Sequence, residues 1–493
     1  MSPYTGNKSY NVDKSKLILY TGAVSSSATK YSTHIPFDFV HEPDRDGEAN
    51  PARKNMRMGE LLVDSGVISR KQLDDALGAQ MRQGGKIAKT LIGLGYLDLQ
   101  TFIRFVAREA GVGIIDLLNY DVKNECIQLV PRGMAIEHEL IPVERLGPVL
   151  TVAMVCPLNT KALYEVENHT GLKVRPVMCT PEALWYSIKR HYPNGQHTGF
   201  ADVAPSEDDN LLWLERQFLA ASVVGLVRRT ESLGRMPGTT EALRDALRDP
   251  HATPRTLVEI IGQDPALAAK VIGTANGDTF GFKGRVDTLD LAVRLLGPRE
   301  AFRIAESADV WFDESREGGF DVEGYRADAT FTARATERIM EAMGHGHIAA
   351  SGAAGLLCDI GRMGLAMVAP NHYKKVDPEL KGIDLIAAEQ RHLGISHPEA
   401  GYMLAERWGL PADISEAILF HHEPKRATRA KELAAAVGAA HRLADLAGAT
   451  IDDGRATFRD CLELLQTAGL EFGACVRVIT ELSYLRGDGE NAA

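Results

Sequence analysis

Gly355-Leu356-Leu357-Cys358-Asp359-Ile360-Gly361 is the stretch around which the second half of the chain is organised. An apolar helical run ends there in a polar pair, and Gly361 reads as the signal that stops it. Cys358 and Asp359 are therefore expected at the end of a buried helix. Around them, apolar residues recur at three- and four-residue spacing through 211–232, 239–247, 253–261, 266–275 and 289–305. The same spacing continues through 326–343, 348–358, 385–393, 398–408, 413–421 and 431–446. Strand-like alternation is absent, so an all-α domain is expected.

Working outward toward the N-terminus, 194–210 is a polar, glycine-containing linker, and the segment before it has a different pattern. Arg57-Met58-Gly59 opens a 24-residue unit that is repeated, 29 residues later, from Lys86-Ile87-Ala88. Each copy reads as a short helix, a glycine after its end (Gly66, Gly95), an N-cap (Ser69, Asp98) and a longer amphipathic helix. Ser69 with Gln72 also fits a capping box. Residues 140–144, 149–155 and 172–178 read as strands, with helices over 162–170 and from Thr180-Pro181-Glu182 to about Tyr192. Residues 1–54 are polar and read as a disordered tail.

The 493 residues suggest about three domains. With 45% hydrophobic and 25% charged residues the chain is ordinary globular material, and its net charge of −11 argues against non-specific nucleic-acid or membrane-surface binding. No apolar run approaches the ~18 residues of a membrane span, and the N-terminus lacks a signal-peptide profile. Six scattered cysteines form no zinc-type spacing and read as reduced thiols, so a cytoplasmic protein is expected.

The tandem repeat, followed by Thr170-Gly171-Leu172-Lys173-Val174-Arg175-Pro176-Val177 and Thr180-Pro181-Glu182, resembles the N-terminal (MshEN-like) domain of type II secretion and type IV pilus assembly ATPases. The resemblance covers residues 57–192, but no G-x-x-x-x-G-K-[ST] phosphate loop occurs anywhere. The second half resembles the HDOD domain, the signalling relative of the HD metal phosphohydrolases. That resemblance rests on Met236-Pro237, Ile261–Asn276, Asp290–Gly297, Gly355–Gly361, His397–Gly401, Glu406–Pro411 and Ile418–His422. The expected layout is a tail (1–54), an α+β domain of tandem helical repeat plus small α/β part (55–193), a linker (194–210), an all-α HDOD domain (211–450), and two helices packing on it (451–486).

Each resemblance implies a site. In HD hydrolases the pair at 358–359 is His-Asp and both side chains ligate a divalent metal. Here the histidine is Cys358, a soft ligand poorly matched to magnesium, manganese or iron. The remaining candidates are Asp359, His397, His421, His422 and Asp445, and no histidine lies between His251 and His345 to serve as a further ligand. The site reads as degenerate: no metal and no catalysis are expected, with Asp359 capping or hydrogen-bonding a neighbouring helix and His397, His421 and His422 half-buried. This accords with the HDOD family, which is generally regulatory.

In the resembling ATPase domains the repeat binds cyclic di-GMP. That implies a ligand site at Arg57, Met58, Gly59, Leu62 and Gly66, and at Lys86, Ile87, Ala88 and Gly95. Amides beside the glycines and a cationic residue would meet the phosphates, while apolar side chains would cover the guanines. Lys86 keeps the charge of Arg57 but not its planar fork, and Ala88 adds a methyl where close backbone approach is wanted. A packing motif without ligand, its glycines being simple caps, remains the other reading. Asn276-Gly277 and Arg285 read as a turn or a partner surface, and His345-Gly346-His347 as a polar loop. The expectation is a non-catalytic cyclic di-GMP sensor that signals to an unidentified protein partner. The alternatives are a metal phosphodiesterase and a nucleotide-independent adaptor of a pilus or secretion system.

Overall fold

The computed structural model describes residues 58–83, 87–192, 207–280, 282, 284–311, 320–344, 349–445 and 451–487. The tail, Arg57, Lys86, most of the linker and His345–His347 lie outside them. Two compact units divide the chain after Phe218.

In the first unit the two repeat copies fold alike. Met58–Asp64 and Ile87–Gly93 are the short helices, Arg70–Gln83 and Leu99–Glu109 the longer ones. Their core is built from equivalent positions: Leu62 and Leu91, Ile68 and Leu97, Leu73 and Phe102, Ala76 and Phe105, all buried together. Ser69 and Gln72 form the capping box, with the Ser69 N–H donating to Gln72 Oε1 at 2.8 Å, and Asp98 accepts from Thr101 N–H at 2.9 Å. Neither helix pair could bury its apolar stripe alone, so the copies close on each other.

A four-stranded sheet follows, ordered β1 (Gly113–Ile114), β4 (Lys173–Met178), β3 (Val149–Met154), β2 (Leu140–Leu146). The β2–β3 pair is antiparallel with Leu140 opposite Met154, whereas β3–β4 and β4–β1 are parallel. The parallel pairing follows from the crossover helix Thr160–Thr170, capped by Asn159 and ended by Gly171 at φ 66°. Two short helices (Asn124–Ile127, Arg132–Glu137) and the two-residue β1 carry too few residues for a periodic signal.

The second unit is helical, apart from one bridge between Arg235 and Val310 among its described residues. Lys431–Ala444 is its hub, flanked by Val322–Met343, Ser351–Leu357, Ala412–Phe420 and Ile451–Thr467. Its run of buried alanines brings the neighbouring helices close. The buried carboxylate of Glu416 accepts from the N–H groups of Thr428 (2.7 Å) and Arg429 (2.8 Å) just ahead of the hub helix. The 289–305 region is two helices, Leu289–Leu296 and Pro298–Ser307, broken at Gly297-Pro298.

Gly361 does not stop the chain. Ser351–Leu357 ends at Cys358, and a new helix, Ile360–Val368, contains Gly361. A β-carbon at Gly361 would collide with the carbonyl oxygen of His397 and lie 2.6 Å from the Gly401 nitrogen. The glycine is there for a backbone-to-backbone helix crossing.

Candidate functional site

Asp359 occupies the junction between those two helices and is 7% exposed. His397 opens the helix His397–Arg407, whose cap is the Ser396–Glu399 capping box. His421 and His422 follow the end of Ala412–Phe420, and His441 lies on the hub helix. Glycines set the spacing between these segments. Gly361 lies against the backbone of His397, and Gly438 lies against the carbonyl of His421.

Among the described residues, Asp359, His397, His421 and His422 each place one potential ligand atom within 4.8 Å of all the others. Asp359 Oδ1 is 3.4 Å from both His397 Nε2 and His421 Nε2, and His397 Nε2 is 3.1 Å from His422 Nε2. The other carboxylate oxygen, Oδ2, faces His441 Nε2 at 3.1 Å and Arg362 Nη1 at 3.4 Å. Glu389, fully buried, accepts from His397 Nδ1 at 2.7 Å. His421 Nδ1 donates to the Ile418 carbonyl at 2.8 Å.

Burial opposes the charge on Asp359, but the charges of His441 and His397 outweigh it and hold the carboxyl well below the usual carboxylate range. Burial likewise opposes protonation of His441, yet Asp359 beside it pushes that imidazole up to about 9. Burial takes His421 down to about 4 and His422 well below the ordinary histidine value.

The other expected members stand apart. Cys358 is buried, outside the converging set, and its thiol is pushed well up by burial and then by the Asp359 charge. Asp445 is turned to Lys381 at 2.9 Å. Sequence reasoning missed His441, one helical turn before Asp445, and Glu389, which nothing in the local sequence marks. Asn276 is a buried strut, not a turn: its side chain accepts from Val286 N–H at 2.9 Å and donates to Val286 O at 2.8 Å.

In the repeat, Gly66 and Gly95 are exposed, both at φ 70°. The Gly66 N–H donates to Val63 O and Val67 N–H to Leu62 O, each at 2.9 Å; Gly95 to Ile92 and Tyr96 to Leu91 repeat this at the same distances. Both are helix-ending Schellman turns. The amides of Gly66, Val67, Gly95 and Tyr96 are thus committed to the helix ends. Gly59 and Ala88 are buried, and a β-carbon at Gly59 would overlap Leu73. Glycine at 59 is accounted for by packing, and the methyl of Ala88 is enclosed in the core. Leu62 is also fully buried, while Met58 and Ile87 are half-buried at its edge.

Residues 233–424 match the HDOD domain and residues 110–198 the MshEN domain. The chain's N-terminal region is similar to the type IV pilus assembly ATPase PilB of Myxococcus xanthus, 33% identical over 153 residues, 31% of this chain and 26% of that one. It is also similar to PilB of Thermus thermophilus, 28% identical over 191 residues, 36% of this chain and 22% of that one. The chain thus spans about a quarter of the length of these curated relatives. Among solved structures, MshE with cdg is 29% identical, covering 28% of this chain and 100% of that one at a TM-score of 0.24. A virulence factor of Campylobacter jejuni is 21% identical, covering 53% and 97%, at 0.45.

Proposed function

We propose that this chain is a non-catalytic signal-transduction protein. Its repeat and MshEN region sense cyclic di-GMP, and its HDOD domain passes the signal on by contact with a protein partner. The two domain matches support the regulatory reading. The observation that carries the sensor reading is the repeat itself: two glycine-ended turns with the same hydrogen bonds, 29 residues apart (66 and 95), each following a helix that a cation precedes (Arg57, Lys86). Beside the first-turn amides of the short helices, a cationic side chain would meet the phosphates, and the planar fork of Arg57 suits that role best. Ligand acts by favouring one arrangement of the two copies over another. Withdrawal of Asp445 to Lys381 and replacement of the HD histidine by Cys358 support a non-catalytic HDOD domain. A cytoplasmic location fits, since no helix among the described residues is long and apolar enough to cross a membrane.

Calorimetric titration of the full chain with cyclic di-GMP tests this. Saturable micromolar-or-tighter binding, weakened by Arg57→Ala, is expected; no binding to folded protein would leave the adaptor reading. The phosphodiesterase reading draws on the Asp359–histidine cluster, and turnover of a cyclic dinucleotide that Asp359→Asn abolishes would establish it instead.

A further inference from the structure

The 22-residue helix Val322–Met343 buries Tyr325, Ala329, Thr332, Thr336 and Ile339. Along another line of the same helix stand Glu323, Ala327, Thr330 and Arg334, at four-, three- and four-residue spacing. That is the spacing of the contact seam between two paired helices. Glu323, Ala327 and Arg334 are exposed and Thr330 is half-buried. All four line an open cleft of about 410 Å³, bordered also by Gln263 and Leu482. The cleft therefore lies over a helix face that has the register for a partner helix.

We propose that this cleft takes the same helix of a second copy of the chain, antiparallel, across a two-fold axis between residues 328 and 329. That axis sets Glu323 opposite the partner's Arg334 and Ala327 opposite the partner's Thr330, each pair then occurring twice. The order of charges along the seam selects both occupant and direction. A parallel pairing would face Glu323 with its own copy and Arg334 with its own copy, whereas the antiparallel one makes two ion pairs. The small side chains of Ala327 and Thr330 at the centre let the two backbones approach closely. The contact is isologous, so it closes as a dimer and does not propagate.

The ion pairs within the chain leave Arg334 over. Glu323 pairs with Arg326, three residues further on. Arg338, one turn beyond Arg334, is held by Glu341 at 3.3 Å and by Glu481 of the last helix at 3.1 Å. Arg334 makes no ion pair among the described residues. Exposed ion pairs contribute little each, so a micromolar association is expected of this contact. This inference is independent of cyclic di-GMP sensing, and either can fail alone.

The test is sedimentation equilibrium of the full chain from about 1 to 100 µM, where a monomer–dimer equilibrium is expected. Glu323→Arg and Arg334→Glu each bring like charges together and should weaken the dimer by about tenfold or more. The double variant Glu323→Arg/Arg334→Glu restores both pairs in reverse and should return the affinity to within about threefold of wild type. Wild type that stays monomeric at about 100 µM overturns the proposal. So does a dimer that both single reversals leave unchanged, since the copies would then meet elsewhere. A double variant that folds but stays as weak as the single ones overturns the facing of Glu323 and Arg334. Should a reversal fail to fold, Ala327→Cys and Thr330→Cys chains mixed under oxidation still decide. A disulfide-linked dimer is expected in the mixture above the level in either chain alone, and its absence overturns the register.

Discussion

Glu389 holds His397 from two directions with one atom: Oε2 accepts the backbone N–H at 2.8 Å and ring Nδ1 at 2.7 Å. Both residues are fully buried. Removing the carboxylate leaves two buried donors without an acceptor, so Glu389→Ala should cost about 3 kcal/mol in chemical denaturation. Glu389→Gln keeps one acceptor oxygen and should cost about 1 kcal/mol.

The matched turns of the repeat give a signed prediction. Gly66 and Gly95 share φ 70°, and a β-carbon at either would meet nothing within 4 Å, so the penalty for alanine is conformational alone. Gly66→Ala and Gly95→Ala should each cost about 1 kcal/mol. Gly93 is helical and equally uncrowded, so Gly93→Ala should stabilise by up to about 1 kcal/mol. Thermal melting of the three variants checks both signs.

Asp264 couples two segments: it accepts from Leu267 N–H at 3.0 Å, Met236 N–H at 2.7 Å and the Thr239 hydroxyl at 3.0 Å. Asp264→Ala abandons all three donors and should cost about 3 kcal/mol. Burial nevertheless raises its pKa above the ordinary aspartate value, although those hydrogen bonds pull the other way. The folded state therefore binds the proton more tightly than the unfolded one, and this group's contribution is lost as pH rises through the folded pKa. Denaturation from pH 7 down to about 4 should show wild type gaining relative to Asp264→Asn. A difference independent of pH would refute the assignment.

The second copy of the repeat offers a gain-of-function test of the sensor proposal. Lys86 supplies charge without a planar fork, so Lys86→Arg should tighten cyclic di-GMP binding by about threefold in calorimetry. Unchanged affinity would mean that only the first copy engages a phosphate.

Much of this was readable in advance because it is local. The 29-residue repeat, its caps at Ser69 and Asp98, and the strands around 140–178 follow from short-range spacing. The meaning of individual glycines was not readable. Gly66 and Gly95 end helices as expected, whereas Gly59, Gly361 and Gly438 are glycine because another segment lies where a side chain would be. That neighbour is remote in sequence, and a glycine that ends a helix looks the same in the sequence as one that admits a partner. The choice between His441 and Asp445 failed for a related reason. They lie one turn apart, and Lys381, far away in the chain, draws Asp445 outward while Asp359 takes His441.

The crossing of Gly361 over the start of the His397 helix, with Gly438 seated on His421, gives the histidine cluster a hidden dependence. The distances among Asp359, His397 and His421 are set by how closely three backbones can approach, and hence by residues that contribute no functional group. A single added methyl at 361 would wedge the backbones apart and pull the cluster open while every polar side chain in it remained intact. Random substitutions that pull this cluster apart should therefore include glycine changes beside histidine ones. Sequences that keep all the histidines but lose these glycines should be read as having lost the site.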